Sequence, residues 1–254
     1  MSIKSFVLNG VATIEIARPE KKNAITVAMY NAMADALLAA HAEPAVRAVL
    51  ITGQPGIFTS GNDIDDFMNQ PRQAGVSPAV GFMKALLGCE KPVVAAVTGA
   101  AIGIGTTMLL HCDLVYISDE ARLAMPFVSL GLVPEFASSL VVAQLFGRVK
   151  ASEKLLLGEP FTPAEAVELQ LANAVLPAGE VLNHARRMAE RFNALPPGAV
   201  RDTKRLMRRA SADHLLQAIA AENEVFGARL SSPEATEAFS AFFQKRKPDF
   251  SSFG

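Results

Sequence analysis

The spacing of apolar residues changes along this chain and predicts an alternation of strands and helices. Val49-Leu50-Ile51-Thr52, Val93-Val94-Ala95-Ala96-Val97 and Leu114-Val115-Tyr116-Ile117 are short, almost wholly apolar runs. That is the pattern of strands covered on both faces of a sheet. Phe6-Val7-Leu8 and the run from Val11 to Ile16 flank Asn9-Gly10, which predicts a hairpin with a type I′ turn. Arg122 to Met125 predicts a short strand ended by Pro126, and Val175-Leu176 a last one. Elsewhere the period lengthens. Met29, Met33 and Leu37 are four apart behind a Thr26 cap, 79–87 runs to Gly88, and 140–146 is stopped by Gly147. From 149 onward helices dominate: 149–157, a capping box at Thr162-Pro163-Ala164-Glu165, 181–192, 199–209, 212–230 and 233–246. Strands alternating with helices argue for an α/β fold with crossovers.

Composition narrows the classes. The chain has 254 residues and a net charge of -1. A chain this long buries about 70–75% of its unfolded surface and needs no staples. The charge argues against nucleic acid as a general partner. Cys89 and Cys112 have no metal-ligand spacing, the start MSIKSFVLNG lacks a signal-peptide core, and SSFG is not a peroxisomal address. These features predict a reduced, cytoplasmic protein. His41, His111, His184 and His214 are scattered and read as surface or helix-end residues. Lys204, Arg205, Arg208 and Arg209, and likewise Lys245, Arg246 and Lys247, read as solvated faces.

The chain is organised around KPVVAAVTGAAIGIGTTMLLHCD, from Lys91 to Asp113. A buried strand leads into Gly99, Gly103 and Gly105, and a helix is expected from Thr106 to Leu110. The first N–H groups of a helix have no internal partner and carry the positive end of the dipole. Such a turn favours an anion or a developing oxyanion. Pro92 to Cys112 is uncharged, but its glycines and proline argue against a membrane span. Neither G-x-G-x-x-G nor a Walker lysine is present.

A second glycine turn, Ser60-Gly61-Asn62, leads into a short helix with Asp63, Asp65 and Asp66 in its first turn. The remaining EF-hand pattern is missing, so these acids read as partners of the helix dipole. Asn69 to Pro78 reads as a mobile loop. Glu135 lies among Val133, Pro134 and Phe136, just ahead of an apolar helix. It has two readings: a base whose pKa desolvation raises, or an acid favoured by the helix dipole. Ser138 and Ser139 are not in a nucleophile elbow.

Together these segments carry a family resemblance over essentially the whole chain. Lys22-Asn23-Ala24, Phe58-Thr59-Ser60-Gly61-Asn62-Asp63, Lys91-Pro92 through Gly105, Cys112-Asp113, Gly131-Leu132-Val133-Pro134 and Phe242-Phe243-Gln244-Lys245-Arg246-Lys247-Pro248 resemble the crotonase, or enoyl-CoA hydratase/isomerase, superfamily. The resemblance implies a spiral of ββα units over 1–195 and a C-terminal helical region over 196–254 that trimerises, often as a dimer of trimers. It implies an acyl-CoA thioester as substrate, its oxygen held by the backbone N–H groups of Asn62 and Ile104. Lys22 and Ala24 match the loop at the adenine end of CoA. Phe242 and Lys245 match C-terminal helix positions that reach CoA. Ser60, Gly61, Asp63, Ile64 and Gly103 complete the expected substrate contacts.

Departures from the family pattern point to a subclass. Hydratases of this family use two glutamates; the matching positions here are Thr107 and Phe127, and neither side chain can be an acid or base at neutral pH. Glu135 stands where hydratases have glycine. An acid there is similar to the Δ3,Δ2-enoyl-CoA isomerases, especially the peroxisomal-type branch. The implied reaction moves a double bond from position 3 to position 2 with Glu135 as acid and base. It needs no metal or redox cofactor, since CoA is part of the substrate. Two other readings stand beside it: another crotonase-fold reaction, hydration included, run by Asp63 or Asp65, and a non-catalytic acyl-CoA-binding oligomer.

Overall fold

Asn9 and Gly10 both lie at positive φ, 48° and 71°, the geometry that matches the twist of a two-residue hairpin. They join β1 (Ile3–Leu8) to β2 (Val11–Ile16) as an antiparallel pair with Leu8 opposite Val11. In this computed structural model, which describes residues 2–68 and 77–254, the hairpin opens the first of two units. That unit comprises 1–123 and 161–210, and the second comprises 124–160 and 211–254.

After the hairpin, strands come in pairs. β3 (Ala48–Thr52) is followed by β4 (Ile57–Thr59), β5 (Val93–Val97) by β6 (Ala100–Ile102), and β7 (Leu114–Ser118) by β8 (Arg122–Ala124). The first of each pair joins a six-stranded sheet, ordered β1-β2-β3-β5-β7-β9, with β9 at Ala174–Leu176. From β2 onward its pairs are parallel. The second of each pair joins a three-stranded sheet, β4-β6-β8. This alternation is the spiral of ββα units. β3 and β5 are buried at every position, which is why they are apolar throughout.

Helices close both faces. α1 (Val27–Ala42) starts at Thr26, whose hydroxyl accepts the Met29 N–H, and it buries Met29, Met33 and Leu37. α2 (Ile64–Met68) is short, and α3 (Pro78–Gly88) packs on α1 with Phe82, Met83 and Leu86 buried. α4 (Ile104–Thr107) tightens into a 3₁₀ turn over Met108–His111. α5 (Ser138–Phe146) and α6 (Arg148–Leu156) belong to the second unit. α7 (Pro163–Glu168) carries the expected capping box, with both bonds made. α8 (Val181–Glu190) lays Val181, Ala185 and Ala189, one per turn, on Val11, Leu50, Val94 and Tyr116 of the sheet. α9 (Pro197–Arg209), α10 (Ala212–Arg229) and α11 (Pro233–Phe243) follow. The uncharged stretch from Pro92 is thus divided among β5, β6, α4 and the 3₁₀ turn. Among the described residues no helix is long and apolar enough to cross a membrane.

One expectation is corrected here. Lys204 and Arg208 are not a solvated face. Lys204 is buried; its Nζ donates to the Lys91 carbonyl at 2.7 Å and to Asp113 at 2.6 Å. Arg208, one turn on, reaches Asp113 and the carbonyls of Leu87 and His111. Those two carbonyls lie at helix ends, where no intrahelical N–H remains to serve them. His111 ends its 3₁₀ turn, the helix-end alternative of its reading, and is buried there. In the second unit Ile219, Phe226 and Phe239 are buried, whereas Leu216, Val225, Phe242 and Phe243 are exposed. The loop expected over 69–78 lies, from 69 to 76, outside the described residues.

Candidate active site

The turn from β6 to α4 depends on Gly103. Its φ of 58° and ψ of -119° form a backbone conformation that side chains exclude. The Gly103 carbonyl accepts the N–H groups of Thr106 and Thr107, at 2.9 and 3.0 Å. The Ile104 N–H therefore stands ahead of the helical ladder, at the helix's positive end. Gly105 lets the turn close on β4: a Cβ there would lie 2.5 Å from Thr59 Cγ2.

Ser60-Gly61-Asn62 leaves β4 beside this turn, because β4 and β6 run parallel with Thr59 opposite Ala101. Ile25 bridges Asn62: the Ile25 N–H donates to the Gly61 carbonyl (2.8 Å) and the Asp63 N–H to the Ile25 carbonyl (2.9 Å). In an extended strand N–H directions alternate, so the Asn62 N–H points away from Ile25. Its side chain is held from α1, where the Tyr30 hydroxyl donates to Asn62 Oδ1. Asn62 and Ile104 thus present backbone donors from two adjacent turns of one unit.

The loop Lys22-Asn23-Ala24 is stitched alongside. Asn23 is buried at φ 55°. Its Nδ2 donates to the carbonyls of Ile57 and Phe58, both at 3.1 Å, and its Oδ1 accepts the Arg18 N–H at 2.7 Å. The Thr59 hydroxyl donates to the Asn23 carbonyl and the Ser60 N–H to that of Lys22. Lys22, exposed, and Ala24 are thereby brought next to Ser60 and Gly61. Asn23 is a positioning residue that motif reading passed over; an Asn in a polar loop, able to hold a left-handed backbone, was its signal.

Asp63 ends the second turn, one residue before Ile64 opens α2. Its carboxylate accepts from Arg18 at 2.5 Å and from the Asp66 N–H at 3.1 Å. Burial works to raise its pKa, but the Arg18 and Asp66 hydrogen bonds outweigh it and hold the carboxyl below its ordinary value. Asp63 is therefore a fixed anion, a poor proton carrier. Asp66 accepts the Val27 N–H at the start of α1. Among the described residues no three acids, cysteines or histidines group as metal ligands.

Glu135 belongs to the second unit. It is buried, and its Oε1 has no hydrogen-bond partner. Burial pushes its pKa up to about 8, and the nearby Glu222 pushes the same way. Phe136 and Ala137, which follow, both hold left-handed backbone at φ 60° and 56°. Glu222, from α10, accepts the Ala137 N–H at 2.6 Å, the Ser139 N–H at 2.9 Å and the Ser139 hydroxyl. It caps α5 from outside. Motif reading missed it, yet an acid between Ile219 and Phe226, on the apolar side of α10, was a signal. Phe242 and Lys245 lie exposed at the end of α11. Thr107, in the first unit, is buried with its hydroxyl unpartnered, and Phe127, in the second, is buried.

The chain was compared with known proteins. The enoyl-CoA hydratase/isomerase family profile matches residues 7–252. Human "Enoyl-CoA delta isomerase 2" is 33% identical over 94% of the chain, which spans 62% of that protein's length. The Escherichia coli 2,3-dehydroadipyl-CoA hydratase is 29% identical over 94% of both. The structure of Pseudomonas aeruginosa OdaA superposes with a TM-score of 0.92 at 52% identity, covering 95% of this chain and 98% of that one.

Proposed function

We propose that this chain, which belongs to the enoyl-CoA hydratase/isomerase family, is an isomerase that moves a double bond from position 3 to position 2 of an enoyl-CoA. The observation that carries the proposal is Glu135, a buried carboxyl with a free oxygen and a pKa of about 8. A base poised near the working pH combines the right protonation state with driving force for proton transfer. The positions matching the two hydratase glutamates hold Thr107 and Phe127, which cannot place and protonate a water by that route.

In the proposed cycle the thioester oxygen rests on the N–H groups of Asn62 and Ile104. Ionised Glu135 takes a proton from C2. The C2–H electrons pass into a dienolate whose oxygen those N–H groups stabilise, by about 3–4 kcal/mol per donor. Glu135, now protonated, returns the proton at C4, leaving the double bond between C2 and C3. Atoms and charge balance with one carboxyl, so the cycle calls for no metal or redox cofactor.

Lys22 and Ala24 are assigned to the adenine end of CoA, with Phe242 and Lys245 reaching it from the C-terminal helix. Ser60, Gly61, Asp63, Ile64 and Gly103 are assigned to the substrate through the two turns they build. The exposed apolar side chains of α10 and α11 suit packing in a homotrimer. Turnover of trans-3-enoyl-CoA by Glu135→Gln tests the reaction: a folded variant that isomerises at the parent's rate would overturn it.

A further inference from the structure

The turn that carries Glu135 is closed only in part by its own segment, where the Ser138 N–H (3.1 Å) and hydroxyl (2.6 Å) donate to the Glu135 carbonyl. Two consecutive non-glycine residues, Phe136 and Ala137, hold a left-handed backbone in which Cβ crowds the following carbonyl. The α5 that follows has no cap from its own segment: Ala137, at its N-cap, has no side-chain hydrogen bond to offer. Both deficits are met by Glu222, buried on α10, whose two oxygens receive the Ala137 N–H, the Ser139 N–H and the Ser139 hydroxyl.

We propose that Glu222 is a positioning residue for the reaction, tying down the turn that aims Glu135 and placing a second carboxyl near it. The inference rests on the reading of Glu135 as the proton carrier.

The two carboxyls differ in what surrounds them. Glu222 has three donors, whereas Glu135 Oε1 has none. Burial pushes the Glu222 pKa up and its three donors pull it back in part, whereas no donor offsets burial at Glu135 Oε1, so the donors favour Glu222 as the carboxyl of the pair that ionises first. Among the described residues Glu222 is the charged group acting on the Glu135 carboxyl. A neighbouring anion makes Glu135 a stronger base once it ionises.

The test uses the full chain and follows two readouts. One is the ¹³C-carboxyl resonance of Glu135, identified by its loss in Glu135→Gln and titrated without substrate. The other is kcat and KM for trans-3-enoyl-CoA against pH. Glu222→Gln is expected to move the Glu135 midpoint to lower pH and to lower kcat roughly 10- to 100-fold, the scale of an angstrom-level misplacement, with KM little changed. Glu222→Asp keeps the charge but shortens the reach, so the midpoint stays high while kcat falls. If Glu222→Gln does not fold, Glu222→Asp decides alone: a parental kcat overturns the proposal. In folded Glu222→Gln, an unmoved midpoint with parental kcat overturns it as well. Parental turnover in Glu135→Gln would instead sink the reading of Glu135, which separates the two failures.

Discussion

Ala137 donates its backbone N–H to the Glu222 carboxylate over 2.6 Å, two residues beyond Glu135 and at the threshold of α5. The bond explains how a Phe-Ala pair, without glycine, keeps a left-handed turn next to a buried acid. It also makes the environment of Glu135 a property of the second unit as a whole, since the capping group comes from α10.

Burial and then Glu222 raise the Glu135 pKa from 4.5 to about 8. Folding therefore takes up a proton between those values. The stability linked to Glu135 is fully present below about 4.5 and is lost as pH rises toward about 8. Glu135→Gln has no such proton to lose. Urea unfolding of both proteins across this window should show the variant gaining on the parent as pH rises, then a constant difference. In the parent, kcat/KM should rise with pH toward about 8, because only the ionised carboxyl accepts a proton. A pH-independent stability difference would contradict the assigned environment.

Gly103→Ala should damage the site more than the fold. A Cβ at φ 58° and ψ -119° costs about 1–3 kcal/mol of backbone strain. Relief of that strain rotates the peptide that carries the Ile104 N–H. Thermal unfolding should show a modest loss, while turnover of an enoyl-CoA falls about 10²-fold or more, as for loss of an oxyanion donor. Parental turnover would mean that the Ile104 N–H is not a donor to the substrate.

Lys204→Met should destabilise the first unit by about 1–3 kcal/mol, the scale for a buried polar group that loses its partner. It removes the lysine donor from the Lys91 carbonyl and leaves Asp113 with the Val93 N–H and Arg208. Chemical denaturation measures this directly. A change within about 0.5 kcal/mol, typical of exposed sites, would show that Lys204 is solvated after all.

These predictions mark what was legible in the sequence. The Asn9-Gly10 turn, the Thr26 cap, the capping box at Thr162 and the central strands were legible because each is decided by neighbouring residues. β4 and β6 were not, because Ile57–Thr59 follows Gly56 and Ala100–Ile102 lies between Gly99 and Gly103, stretches whose glycines read as turns. Lys204 and Arg208 misled because what buries them, the carbonyls of Lys91, Leu87 and His111, is distant in sequence. In the candidate site the glycine turns and Glu135 stood out by residue type and position. The supports did not: Asn23 and Glu222 act through contacts with residues far along the chain, which no local pattern records.

The exposed Leu216, Val225, Phe242 and Phe243 predict self-association. Light scattering of the purified protein should give the mass of three chains or a multiple of it. A monomer at micromolar concentration would contradict the proposed trimer and leave those side chains needing another cover.

The most direct test supplies trans-3-enoyl-CoA and trans-2-enoyl-CoA separately to the parent and to Glu135→Gln. The parent should isomerise the first without hydrating the second, and the folded variant should lose about 10²- to 10⁴-fold of the isomerisation, the range for a general acid–base group. Hydration of the second substrate that persists in Glu135→Gln would contradict the proposed reaction.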